Sequence, residues 1–106
     1  MVSSNKVTIS IVSHGQFTLL LPLIKSLLNC EEIESIIITI NIPEKIKKIK
    51  WLQELPINWI YNSSQQGFGT NHNNAFKMCH TKYFFVINPD VRFSNKIIKD
   101  LILLKE

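Results

Sequence analysis

Asp90 stands where an apolar run, YFFVI, stops at Asn88-Pro89. Open α/β sheets present side chains to a crevice at such strand ends. The chain has two aspartates, and the other, Asp100, sits in a helical pattern. A carboxylate at a strand end can hold a hard cation, because Mg²⁺ and Mn²⁺ take one or two carboxylates and leave other positions to substrate phosphates. An Asx turn after the proline, or a cap for the following helix, explains the same residue without chemistry. Upstream, Gly67-Phe68-Gly69 could bring backbone close to a ligand and aim a helix N-terminus at an anion. It could equally be an ordinary turn. It is no dinucleotide fingerprint: it follows the third predicted strand rather than the first, and His72 takes the place of the third glycine. The Walker pattern fails too, since no Gly-Lys-Ser/Thr is present. Asn71, Asn73 and Asn74 crowd one helical turn although asparagine is a poor helix former, which points to hydrogen bonding or capping. Ser13-His14-Gly15 closes the first predicted strand, where a histidine either faces a ligand or is merely exposed. His72 and His80 form no metal-ligand spacing with it, and no serine or cysteine has a nucleophile's setting.

These residues need a scaffold, and the apolar pattern supplies one. Residues 6–13 (KVTISIVS) and 35–42 (SIIITINI) read as strands buried on both faces, as parallel sheets require. Between them Leu20, Leu23, Ile24, Leu27 and Leu28 recur at helical spacing, with Pro22 expected in the first turn. Pro43 ends the second strand, and residues 44–55 read as an amphipathic helix. Its Ile46, Ile49 and Leu52 face inward, while Lys45, Lys47, Lys48 and Lys50 form a solvated face. Residues 57–61 make a third strand, 62–69 a loop, about 71–80 a helix and 83–87 a fourth strand. Residues 96–105 make a last helix, with Ser94 as a cap. The order βαβαβαβα predicts a mainly parallel sheet between helices, a Rossmann-like three-layer α/β sandwich. Trp51 and Trp59 read as packing residues.

Bulk properties narrow the class. A chain of 106 residues is one domain or part of one, and 45% hydrophobic with 19% charged residues excludes disorder. The net charge of +4 suits an anionic ligand or an acidic membrane surface without demanding either. Arg92 is the single arginine and no basic–aromatic face is evident, which disfavours nucleic acid. No run reaches the roughly 18 apolar residues of a membrane span, so any membrane contact is expected to be peripheral or supplied by residues beyond this sequence. Cys30 and Cys79 form no CxxC pair and read as reduced thiols in a cytosolic protein.

Taken in order, the segments 9–15 (ISIVSHG), 41–44 (NIPE), 62–76 and 88–91 (NPDV) resemble family 2 glycosyltransferases, which have the GT-A nucleotide-sugar-binding fold. The likeness is to bacterial enzymes of surface-polysaccharide synthesis, including rhamnosyltransferase-like ones. It spans nearly the whole chain but only the donor-binding half of such an enzyme. It implies transfer of a sugar from a UDP- or dTDP-sugar to a saccharide acceptor, with inversion. It also implies that Ser13, His14, Gly15, Asn41, Gly67, Phe68, Gly69, Asn73, Asn88 and Asp90 bind the nucleotide-sugar, with Asp90 on Mg²⁺ or Mn²⁺. Two departures stand out. Asn88 occupies a place where many relatives carry a second acid. Ile40 precedes Asn41 where relatives often carry a base-recognising aspartate, which leaves the base open. The implied catalytic base falls beyond this sequence, so these 106 residues are expected not to catalyse transfer alone. The last helical pattern runs to Glu106 without a stop signal, as in a truncated or fragmentary chain whose exposed sheet could dimerise.

Other classes leave different marks. A sugar-nucleotide nucleotidyltransferase usually carries a glycine-rich basic loop after the first strand, where this chain has Gly15-Gln16-Phe17-Thr18. A receiver-like module needs acids near the end of the first strand, and residues 7–30 hold none. A flavodoxin-like module or a remnant kept for protein contact remains as the non-enzymatic reading.

Overall fold

The computed structural model describes residues 7–27 and 30–87. Its elements are β1 (Val7–Ser13), α1 (Phe17–Lys25), β2 (Ile33–Ile40), α2 (Lys50–Gln53), β3 (Ile57–Tyr61), α3 (Phe68–Phe76) and β4 (Tyr83–Val86). The four strands form one all-parallel sheet in the order β3-β2-β1-β4. The chain therefore winds outward from β1 to β3 and then crosses back to the other side of β1. The fold is an α/β Rossmann-like sandwich. Asn88, Asp90 and the expected helix over residues 96–105 lie outside the described residues.

The two faces of the sheet are chemically different. Val7, Ile9 and Ile11 of β1 join Ile36, Ile38 and Ile40 of β2 in a core closed by Phe17, Leu20, Leu23, Ile24 and Leu27. Alternation along a strand sends the intervening residues to the other face, which carries the buried Thr8, Ser10 and Thr39. There α3 lies against β1, and its buried residues are Asn71, His72 and Ala75. Full burial of a Leu or Ile side chain stabilises by about 1.5–3 kcal/mol, so most of the hydrophobic stabilisation sits on the α1 face. Cys30 is buried in this core and Cys79 is half-buried; both are free thiols. Burial pushes the Cys30 thiol up. At Cys79 burial also acts upward, but hydrogen bonding with Thr81 and Thr8 outweighs it and the thiol is lowered.

Three local expectations are corrected. The expected 44–55 helix survives only as the single turn of α2, and residues 42–49 have no regular structure. Lys45/Lys48 and Lys47/Lys50 are like charges three residues apart, which disfavours helix. Glu44, meanwhile, is drawn away to α1. The expected 71–80 helix starts and ends earlier, because Gly67 stands in extended geometry as its N-terminal cap and its carbonyl accepts from the Asn71 N–H at 3.0 Å. Pro22 is inside α1 rather than in its first turn. The buried Phe17 and Leu20 draw the helix start back to residue 17, and Pro22 falls on the exposed side, where water can satisfy the carbonyl left without a donor.

An interior proline still costs helix stability. Pro22→Ala is expected to stabilise the chain by about 1–2 kcal/mol, the restored hydrogen bond being offset in part by a freer unfolded chain. Urea denaturation measures the change.

Candidate functional site

The carboxyl ends of parallel strands gather on one rim, and β1 is the strand at which the winding reverses. At the end of β1 the turn His14-Gly15 needs a glycine, because Gly15 has φ of 83°. A Cβ there would meet Ile42 only at 3.8 Å, so backbone conformation rather than space selects the residue.

Three donors of this turn are already engaged. Gln16, the residue that precedes α1, gives no capping bond. Glu44 reaches across from the loop after β2 instead. Its Oε1 accepts the Phe17 N–H at 2.8 Å, and its Oε2 accepts the Ser13 hydroxyl at 2.7 Å and the Gly15 N–H at 3.1 Å. A carboxylate at a helix N-terminus is favoured by both the free N–H groups and the helix dipole. Ser13 is fully buried, so His14 is the exposed side chain between it and Gly15. The Pro43-Glu44 pair was visible in the sequence, but reading it as a helix start hid this capping role.

Asn41 joins the turn to the rest of the rim. It has no exposed surface. Its Oδ1 accepts the Asn62 side-chain amide at 2.7 Å and the Gln66 backbone N–H at 2.8 Å. Its Nδ2 donates to the Gln66 carbonyl at 3.0 Å and to His14 Nδ1 at 3.0 Å. The two donors on Oδ1 fix the amide's orientation, so His14 accepts at Nδ1 and carries its proton on Nε2. Asn62 also donates to Asn71 Oδ1 at 2.7 Å. Asn71 is thereby a buried structural member of the asparagine cluster, whereas Asn73 is exposed further along α3.

The 62–67 turn that Asn41 holds delivers Gly67 and Gly69 to open space: a Cβ on either would find nothing within 4 Å. Phe68 between them is 66% exposed, with its ring edge-on to His72 at 4.5 Å. The structure thus links Ser13, His14, Gly15 and Asn41 to the Gly67 turn along one rim. Sequence reasoning missed Asn62 and Gln66 as the partners that make the link. Asn88 and Asp90 cannot be placed on it, being outside the described residues. Among the described residues no group of three His, Cys, Asp or Glu side chains could hold a metal ion. No described helix is long and apolar enough to cross a membrane. Cavities of about 250 and about 170 Å³ lie away from these glycines, on either side of the 44–50 loop.

Comparison with known proteins adds no family: no family model matches the sequence, and no curated protein matches it.

Two tests follow from the buried polar groups. Asn41→Ala strands several partners at once and is expected to cost about 2–4 kcal/mol, with faster hydrogen exchange at the Gln66 amide. The second concerns His72, which is buried and shares a 2.8 Å hydrogen bond with Ser10. Desolvation holds its imidazole below the ordinary value of 6.5. The unfolded chain therefore binds the proton more readily. This contribution to stability is complete above pH 6.5 and is lost as pH falls below it. Denaturation midpoints across this range should decline on the acid side, and His72→Gln should flatten the decline.

Proposed function

We propose that this chain is the donor-binding part of a glycosyltransferase that moves a sugar from a nucleotide-sugar to a saccharide acceptor with inversion, in cytoplasmic synthesis of cell-surface polysaccharide. The observation that carries the reading is the bridge from His14 through Asn41 to the Gly67 turn, at the strand where a doubly wound sheet has its crevice. In this reading each residue has a job. Asn41, Asn62 and Gln66 hold the rim in shape. His14 offers its Nε2–H to an acceptor oxygen of the donor. Gly67 and Gly69 leave room for base, ribose or sugar to lie on bare backbone, and nothing in the fold requires glycine there. The Glu44 carboxylate already takes the Ser13, Gly15 and Phe17 donors of the β1–α1 turn, and it would repel a phosphate placed there. The diphosphate is therefore assigned away from this turn. Asp90, which lies outside the described residues, is proposed to ligate the accompanying Mg²⁺ or Mn²⁺, and the cation would neutralise the departing nucleoside diphosphate. The acceptor hydroxyl would lose its proton to a carboxylate base.

Calorimetric titration with UDP, GDP and dTDP, each with and without Mn²⁺, tests the reading. Binding should require the cation and vanish in Asp90→Ala. Gly67→Ala should leave stability within about 0.5 kcal/mol, and Gly69→Ala, in the first turn of a helix, should raise it by about 0.5–1 kcal/mol. Both should nevertheless lose nucleotide binding. Cation-independent binding would favour a non-catalytic nucleotide module. Unaltered binding in all three variants would count against the site altogether.

A further inference from the structure

The lysine-rich loop over residues 44–50 is more than a solvated stretch. Glu44 anchors one end on α1, and Ile46 and Ile49 pack against the core. Between this loop and the edge strand β3 opens a cleft of about 250 Å³. Lys47 and Lys48 line one side of it, Trp59 and Tyr61 the other, and Leu52 contributes to its apolar surface.

We propose that this cleft binds a small ring compound that carries a phosphate or carboxylate, with one ring against the Tyr61–Trp59 pair and the anion between Lys47 and Lys48. Four observations converge on that chemistry. Trp59 and Tyr61 are alternate residues of one strand and so share a face; their rings lie nearly parallel, 17° apart with centroids at 6.3 Å. Tyr61 is 66% exposed, so the pair ends in an aromatic face open to water. Such a face stacks on a flat base ring and can also pack against the C–H face of a saturated sugar ring. Neither Lys47 nor Lys48 has a carboxylate partner among the described residues, and no acidic side chain lines the cleft, so its local charge is positive. The cleft volume of about 250 Å³ is below the roughly 300–1,000 Å³ of ligand pockets, which suits a small compound of one or two rings better than a whole nucleotide-sugar. The site uses none of His14, Gly67, Phe68 or Gly69, and it stands whether or not the rim binds a nucleotide-sugar. A sugar phosphate, a uronate and a nucleoside monophosphate share the required chemistry.

NMR titration of the 106-residue chain, followed at the Trp59 indole N–H, separates these sources. The probes are glucose 6-phosphate, glucuronate and UMP, against glucose, uridine and inorganic phosphate. Saturable shifts are expected from at least one of the first three, weaker or absent ones from the rest, and the tightest of the three names the source. Tyr61→Ala, Lys47→Gln and Lys48→Gln should each weaken that binding about tenfold, the loss of one stacking or charge contact. Circular dichroism checks that each variant is folded, and the two lysine variants carry the test should Tyr61→Ala not fold. Gly67→Ala should leave this binding unchanged, which keeps it distinct from the rim site. The proposal is overturned by equal binding of inorganic phosphate or of the neutral rings. It is equally overturned by unmoved Trp59 signals in the folded protein, or by full-strength binding in the folded variants.

Discussion

One buried amide organises the functional end of this molecule. Asn41 lies at the carboxyl end of β2 without access to water, and it must satisfy two donors and two acceptor positions inside the protein. It does so with His14 from the β1–α1 turn, Asn62 at the end of β3 and both backbone groups of Gln66. A buried polar group left unpaired costs about 1–3 kcal/mol, while each bond made returns a net of about 1 kcal/mol. That asymmetry makes the arrangement close to all-or-none. The 62–67 turn has one conformation that pays every member, and it is the one that presents Gly67 and Gly69 to solvent.

The rim rests on a sheet whose faces divide the labour. The α1 face is aliphatic and supplies the bulk of the burial, so it can tolerate a proline inside its own helix. The α3 face is more polar, with the Ser10–His72 bond at its centre, and leaves Phe68 and Phe76 largely in water. The apolar face lies beneath β1 and β2, whose alternate residues form the core. That is where the turns of the candidate site begin.

Glu44 shows tertiary contact overriding local pattern. By sequence it opens an amphipathic helix of lysines and isoleucines. In the fold its carboxylate finds the N–H groups of Gly15 and Phe17 and the Ser13 hydroxyl. Three charge-assisted hydrogen bonds at a helix N-terminus outweigh the small intrinsic preference of a lysine-repelling helix. Once Glu44 is held there, the following residues lie as an open loop, and the clefts beside Lys47 exist because no helix fills that space.

The apolar runs by themselves determined the strands and the layer order. Continuous Ile and Val segments such as 36–38 can be buried only on both faces of a parallel sheet, and the intervening helical repeats then fix the α/β class. The glycine pair and His14 were also legible as candidates, although a plain turn or an exposed histidine explained them equally well, and Asn41 entered only through the resemblance. What the tertiary structure alone decided was how these residues divide their work. Asn41 became a buried hub, Ser13 and Gly15 became partners of Glu44, and Lys47 and Lys48 came to line one cleft with the aromatic pair on β3. Periodicity reports which face of an element is buried. A hydrogen bond between residues some 25 positions apart depends on how three strand ends meet, and no local pattern encodes that distance.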